Sequence, residues 1–236
     1  MELTYLGHST VQLASESGQT ILIDPWLDEN PHTDRSAEEF DTVDELLVTH
    51  AAHDHLGDAP SIAESNDAEL VCDSATAMKL DAQGFPEDLL RQYIWGPEYT
   101  PPVSDGSWSV RILEAHHQSA VPELELTGEA LAYLVTIDGE RVYHMGDTSI
   151  SRDFELFGEL YDPTVLLVPV GEAIDQFVEL HPNEAALVTE WLEPEVAIPI
   201  HYQPDSDNPA QYAEYCDQHG LSTEVMLMNP GETLAR

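Results

Sequence analysis

The N-terminal part of the chain carries short apolar runs that predict β-strands. Each run is rich in Leu, Val, Ile or Thr and is bounded by turn residues such as Gly18 and Pro25. Residues 28–42 are polar and acidic without a period, which predicts a surface loop with a helical turn at most. The predicted strands are Glu2–Leu6, Thr10–Ala14, Thr20–Asp24 and Leu46–Thr49.

The middle of the chain adds helices and a hairpin. Apolar residues at helical spacing predict helices near Asp58–Ser65 and Ala75–Ala82, on either side of a strand at Glu69–Cys72. The pair Asp138–Gly139 predicts the tight turn of a β-hairpin. The strands predicted in this part are Ser109–Glu114, Ala130–Ile137 and Arg141–Met145.

The last third of the chain alternates strands and helices. Paired strands followed by such an alternation predict an α/β layered sandwich with helices covering the sheets. Nothing in the composition divides the 236 residues, so we expect one domain spanning residues 1–236. The predicted elements are strand Val165–Val170, helix Asn183–Trp191, strand Val196–Ile200, helix Ala210–His219 and strand Glu224–Leu227.

The excess of acidic residues indicates the salt environment in which the protein works. Asp and Glu number 46 against 7 Lys and Arg, Lys79 is the only lysine, and the formal net charge is -39. Molar salt shortens the Debye length to about 3 Å and so screens the self-repulsion. We therefore expect a salt-adapted protein resembling those of halophilic archaea, the alternative being an ordinary acidic protein. No basic stripe exists to neutralise phosphates, so nucleic acid is not an expected partner.

Cysteine usage and hydropathy indicate the compartment. Cys72 and Cys216 are isolated and belong to no CxxC pair, so we expect both to be reduced and buried. The N-terminus has neither a basic nor an apolar segment of a secretion signal, and no apolar stretch is long enough to span a membrane. The sequence therefore predicts a cytoplasmic protein that acts away from membranes, and it leaves open whether the protein forms a homo-oligomer.

Several of the eleven histidines lie where predicted strands end. Because strand ends of one sandwich meet at a common rim, we expect these side chains to come together. Imidazole and carboxylate are the ligands that Zn²⁺ and similar cations take. The candidates are His50, His53, Asp54 and His55 in THAAHDHLGD, His116 and His117 after a strand, Asp147 in YHMGDTS, and His201 in AIPIHYQP.

The order of these motifs resembles the metallo-β-lactamase superfamily, and within it the branch of ascorbate-6-phosphate lactonase-like hydrolases. The resemblance covers nearly the whole chain and rests on GHST, ILIDPWL, VTHAAHDHLGDA, YHMGDTS, VPVG, HPNEAA and IPIHY. A lone HxxxDH would be weak evidence, whereas HxxxDH followed by GDT and PIHY is specific. The resemblance implies an αββα four-layer sandwich with a metal site at the edge of its two sheets.

Carried over residue by residue, the resemblance implies two metal sites. The first would use His50, His117 and Asp147, but Ala52 stands where the family has a further histidine. The second is complete, and its ligands would be Asp54, His55, Asp147 and His201.

The roles of several residues near the expected ligands leave alternatives open. His53 lies one position beyond the missing ligand, so we expect it to be exposed or to support a ligand, although it could replace that ligand. The family spacing favours His117 over His116. His8 is expected to be buried and hydrogen-bonded near the site rather than to be a ligand, and Asp24 to orient a neighbouring ligand or a turn.

The implied function is metal-dependent hydrolysis. A metal-bound hydroxide would attack an ester, lactone or phosphoester of a small anionic molecule, with Asp54 as proton acceptor. The expected cofactor is Zn²⁺, one or two ions per chain, with Mn²⁺ or another divalent metal as the alternative. Because Ala52 weakens the first site, the alternative function is a metal-binding protein of this fold with weak or no hydrolytic activity.

Overall fold

The computed structural model of the protein describes residues 1–104, 106–171 and 179–236. Within these ranges the chain forms two seven-stranded sheets. Strands β1–β14 span Glu2–Gly7, Thr10–Ala14, Thr20–Ile23, Glu45–Leu47, Glu69–Cys72, Leu90–Gln92, Glu98–Tyr99, Trp108–Val121, Leu126–Ile137, Glu140–His144, Val165–Pro169, Val196–Ile200, Glu224–Val225 and Thr233–Ala235. Helices α1–α6 span His53–Leu56, Ala59–Asn66, Ser74–Gln83, Asp153–Tyr161, Pro182–Leu192 and Asn208–His219.

Both sheets are mixed and follow the same plan. The first has the order β14-β1-β2-β3-β4-β5-β6, with antiparallel pairs as far as β3 and parallel pairs from β3 to β6. The second has the order β13-β12-β11-β10-β9-β8-β7, antiparallel from β7 to β10 and parallel from β10 to β13. Because β3, β4 and β5 are parallel to one another, as are β10, β11 and β12, residues that follow these strands leave their sheet at one edge.

The apolar side chains form three packed layers. The central layer lies between the sheets and includes Leu13, Leu47, Tyr133 and Ile198. A second layer packs α4, α5 and α6 against one sheet, and a third packs α2 and α3 against the other. This arrangement of helix, sheet, sheet and helix confirms the predicted αββα sandwich.

Most of the predicted elements are present within a few residues of their expected bounds. The hairpin turn is confirmed, since Asp138 and Gly139 both have positive φ and lie directly between β9 and β10. The prediction that a strand ends before His116 was wrong. Strand β8 continues to Val121, because its pairing with β9 resumes after a register shift between Glu114 and Gln118.

Helix α4 was not predicted, and Gly158 explains why. A glycine inside a helix weakens the helical signal. In the fold, a Cβ at this position would lie 2.3 Å from the carbonyl oxygen of Trp191, so only glycine lets α4 approach α5 this closely. The short strands β6, β7 and β14 were also missed, since each has only two or three residues and pairs along a sheet edge.

Candidate metal centre

The predicted ligands come together at one edge of the two sheets. His50 follows β4, Asp54 and His55 belong to α1, and His201 follows β12. Asp147 follows β10, and His117 lies in β8 at the register shift. Five of the six are buried or have a largely covered side chain, and His117 is half-buried.

Asp147 lies at the centre of this cluster. Its Oδ1 lies 3.3 Å from His55 Nε2, and its Oδ2 lies 3.2 Å from His201 Nε2. The same Oδ2 lies 3.8 Å from His50 Nε2. One carboxylate therefore faces imidazole nitrogens that are delivered by elements of both sheets.

The first group of potential ligands is His50, His117 and Asp147. One nitrogen or oxygen atom of each lies within 4.8 Å of the others, and the two imidazole rings are 5.0 Å apart. Ala52 precedes α1 and contributes no ligand atom, so this group has three protein ligands.

The second group is His8, Asp54, His55 and His201, whose potential ligand atoms also lie within 4.8 Å of one another. Asp54 Oδ2 lies 3.2 Å from His8 Nε2 and 3.7 Å from His201 Nε2. His8 is buried and hydrogen-bonded to Asp54, as expected, and its position also makes it a potential ligand.

The two alternative histidines lie outside both groups. The His53 side chain is 79% exposed, and its Nδ1 lies 3.5 Å from Asp54 Oδ1. His116 is exposed, and its Nε2 lies 3.4 Å from Glu114 and 3.9 Å from Asp153. Of the adjacent pair, the backbone therefore delivers His117 to the cluster.

Asp24 fixes the orientation of His55. It is fully buried with a φ of 48°, and its Oδ1 accepts the Thr49 backbone N–H at 2.7 Å. Its Oδ2 accepts the Thr49 hydroxyl at 2.8 Å and His55 Nδ1–H at 2.7 Å. Since Nδ1 is held by Asp24, Nε2 of His55 faces Asp147. A carboxylate behind a ligand histidine is the usual support of a metal site.

A second support, missed from the sequence, holds the loop that carries His50. The Ala51 backbone N–H donates to Ser119 Oγ at 3.1 Å, and Ser119 Oγ donates to the buried Asp73 at 2.8 Å. Asp73 also caps the N-terminus of α3. Because Ser119 lies in β8 two residues after His117, these bonds fix the two histidines of the first group relative to each other.

His144 supports Asp147. Its imidazole is fully buried at the end of β10. Its Nδ1 accepts the Gly146 N–H at 3.2 Å, and its Nε2 donates to the Ser9 carbonyl at 2.9 Å. It therefore joins the turn before Asp147 to the loop that carries His8.

Glu179 is a residue of the site that sequence reasoning missed. Its side chain is 1% exposed, and its Oε2 lies 3.6 Å from His201 Nδ1. One glutamate among many acidic residues, outside any predicted strand, gives no signal in the sequence.

The surroundings shift the pKa values of the cluster in opposite directions. Burial lowers the pKa of His50 to about 3 and that of His8 to about 4, so both are neutral at pH 7. Burial also opposes a charge on His201, but Asp147 outweighs it and raises the pKa to about 10. For Asp147, burial opposes ionisation, but His201 and His55 outweigh it and hold the pKa well below its usual range.

Buried polar atoms without a hydrogen bond show that the cluster suits a cation. Among the described residues, His55 Nε2, His201 Nε2 and Asp147 Oδ1 have no hydrogen-bond partner. Such atoms are rarely left unsatisfied, and a cation between these atoms would satisfy all three. Imidazole and carboxylate suit a divalent transition metal. A bound metal supplies Lewis acidity and makes water more acidic.

The architecture and this cluster match one class of protein. Residues 19–202 match the model of the beta-lactamase superfamily domain. Two mixed sheets between helices, with a histidine and aspartate centre at their edge, define a metal-dependent hydrolase of the metallo-β-lactamase class.

Similar proteins show which family of this class the chain belongs to. A UPF0173 metal-dependent hydrolase of Methanopyrus kandleri is 36% identical, with 100% of both chains covered. One of Methanobrevibacter smithii is 34% identical over 98% of this chain and 95% of its own. The solved structure of Igni18, a metallo hydrolase from Ignicoccus hospitalis, has a TM-score of 0.84 at 30% identity and covers 99% of this chain and 97% of its own. The chain therefore belongs to the UPF0173 metal-dependent hydrolases.

Among the described helices, none has both the length and the apolar character needed to cross a membrane.

Proposed function

We propose that this protein is a zinc hydrolase that cleaves an ester, lactone or phosphoester bond of a small molecule. The position of Asp147 carries the proposal, since its two carboxylate oxygens face His55, His201 and His50 from both ligand groups. We assign zinc rather than Mn²⁺ because most of the ligand atoms are imidazole nitrogens.

The proposed ligands divide between two positions that share Asp147. His50 and His117 would hold one ion with Asp147, and that set leaves a position open for water or substrate. Asp54, His55 and His201 would hold the other, with His8 beside Asp54.

We assign Asp54 as the proton acceptor of the reaction. Its side chain is 22% exposed, so it reaches the solvent-facing side of the cluster. Burial opposes ionisation, but contacts with His201 and His8 outweigh it and hold the pKa of Asp54 below its usual range. Oδ2 faces these two histidines, and Oδ1, which lies 3.5 Å from the exposed His53, would accept a proton from the attacking water.

The substrate would bind in a cavity beside His117. The cavity has a volume of about 830 Å³, and Trp95, Glu114, Glu129 and Ser149 also line it. This volume suits a small molecule. We assign it as the substrate pocket because it borders a proposed ligand of the first ion.

The basic residues limit where a negative charge of the substrate can lie. All seven are within the described ranges, each pairs with a carboxylate, and none lines the cavity. Lys79 donates to the carbonyl of Ala51, the residue after His50, and pairs with Glu123. The other six are Arg35, Arg91, Arg111, Arg141, Arg152 and Arg236.

An anionic group of the substrate would therefore have to be held by the bound ions. The rest of the molecule would meet Glu114 and Glu129, so we expect it to be neutral or positively charged.

The experiment that tests the function links hydrolysis to metal content. Protein purified at high KCl without added metal is analysed for bound elements, stripped with a chelator and reloaded with zinc or manganese. Each form is assayed on a lactone, a phosphodiester and an aryl ester. We expect hydrolysis of at least one substrate class to disappear with the metal and to return with zinc. A zinc-loaded protein that cleaves none of them would favour the alternative, a metal-binding protein of this fold with little activity.

The vacancy at Ala52 gives a second test, of the number of metal ions. Ala52→His should add an imidazole next to His50 and raise the affinity for the ion at the first group, measured by zinc titration after chelation. His53→Ala is the matched control and should leave both affinities unchanged, because its side chain is 79% exposed. Loss of one zinc equivalent in His53→Ala would show that His53 has replaced the missing ligand.

A further inference from the structure

Glu179 and His201 form a buried pair in the metal centre, and potential ligand atoms of both lie within 4.8 Å of one of Asp147. Nε2 of His201 faces Asp147 and Asp54, and Nδ1 lies on the other side of the ring, 3.6 Å from Glu179 Oε2. Neither His201 Nδ1 nor Glu179 Oε2 has a hydrogen-bond partner among the described residues. Each atom is therefore the available partner of the other.

The same arrangement is present once more in the site, with shorter contacts. Asp24 Oδ2 lies 2.7 Å from His55 Nδ1, and His55 Nε2 lies 3.3 Å from Asp147 Oδ1. In both cases a buried carboxylate faces Nδ1 and Asp147 faces Nε2. The two histidines come from different sheets, so neither carboxylate can serve both rings.

Backbone contacts hold the main chain of His201 in place, but they do not set the orientation of its imidazole ring. His201 has a φ of 55°, and its N–H donates to the His8 carbonyl at 2.9 Å. Gly171 packs against it so closely that a Cβ there would lie 1.5 Å from the His201 carbonyl oxygen. These contacts hold the main chain, and Glu179 is the carboxylate placed to hold the imidazole.

We propose that Glu179 is a positioning residue, whose carboxylate accepts the Nδ1–H of His201 and thereby presents Nε2 to the metal ion. The proposal rests on the metal centre described above and concerns metal binding rather than the bond that is cleaved. A carboxylate behind a ligand histidine fixes the tautomer and strengthens the ligand, and its loss weakens metal binding by about 10- to 100-fold.

The test compares Glu179→Ala and Glu179→Gln with Glu45→Gln. Glu45 is the matched control, because it is a fully buried glutamate at the end of β4 away from His50. Zinc affinity is measured by competition with a chelator, and the ring N–H of His201 is followed by NMR in the zinc-loaded proteins. We expect Glu179→Ala to weaken one zinc equivalent by about 10- to 100-fold and to lose the protected N–H signal. Glu179→Gln, which keeps an oxygen acceptor, should restore the signal and part of the affinity, and Glu45→Gln should change neither.

Two outcomes would overturn the proposal. An unchanged zinc affinity and N–H signal in Glu179→Ala would show that Glu179 does not act on His201. Loss of a zinc equivalent as complete as that caused by His201→Ala would show that Glu179 is a ligand. Zinc binding is measured without any substrate. A protein that binds zinc but hydrolyses nothing would therefore refute the proposed function, whereas the role of Glu179 could still be tested.

Discussion

At the scale of single residues, Asp147 contacts histidines of both ligand groups. Its two oxygens lie 3.2 to 3.8 Å from nitrogens of three histidines, and these histidines belong to both ligand groups. It is buried, and its pKa lies well below the usual range because His201 and His55 outweigh the effect of burial. The Asp147 carboxylate lies between the two ligand groups and faces histidines of both.

Asp147→Ala should therefore remove most of the bound metal, since it takes a ligand from both proposed ions. Element analysis of the purified variant would check this. His32→Ala is the control, because that imidazole packs 5.3 Å from His8 and lies outside both ligand groups. Equal metal content in the two variants would contradict the assignment.

At the scale of elements, β4 lies between the proposed metal ligand His50, which follows it, and the buried glutamate Glu45, which begins it. His50 follows the strand, and Glu45 begins it with its Oε1 accepting the Tyr99 hydroxyl at 2.7 Å. Its Oε2 has no partner among the described residues. Burial raises the pKa of Glu45 to about 8, so the folded protein keeps this side chain protonated at pH 7.

The raised pKa of Glu45 makes stability depend on pH. An unfolded Glu45 ionises near 4.5, and the folded one near 8, so between these values the folded protein holds one proton more. The contribution is complete below pH 4.5 and is lost as the pH rises through 8, by up to about 1.4 kcal/mol for each unit.

Glu45→Gln cannot ionise and should remove this dependence. Denaturant unfolding of both proteins from pH 5 to 9 would check it, and the variant should gain stability relative to the parent as the pH rises. A difference in unfolding free energy that is constant over that range would contradict the assignment.

At the scale of the whole molecule, the net charge of -39 dominates. The seven basic side chains are already paired, so they cannot neutralise the remaining carboxylates. We propose that the protein is adapted to a salt-rich setting, in which the Debye length falls from about 10 Å at 0.1 M to about 3 Å at 1 M.

Stability should therefore rise with salt concentration. Melting temperatures measured from dilute buffer to molar KCl should increase, because screening relieves the repulsion in the folded state more than in the expanded chain. The metal-loaded protein should be used at every salt concentration so that metal loss does not imitate the effect. A melting temperature that stays constant over the range would contradict the proposed salt adaptation.

The sequence by itself determined the fold class and the general place of the site. The spacing of apolar residues predicted most strands and four helices, because this spacing indicates which face of an element is buried. Proposed ligands that follow strands, such as His50, Asp147 and His201, could be predicted because strand ends share an edge. Motif order was enough to indicate the metallo-β-lactamase class, which the matches of residues 19–202 and of the whole-chain relatives confirm.

Only the tertiary structure decided which side chains meet. His117 enters the cluster and His116 does not, because a register shift in β8 sets which way each residue faces. Helix α4 depends on how closely Gly158 lets it approach α5. Glu179 faces His201 from outside any predicted strand, and Ser119 and His144 bond Ala51 and Ser9 in distant parts of the chain, so no local pattern marks these contacts. The contacts that support the metal centre join residues far apart along the chain, and such long-range pairs leave no local pattern in the sequence.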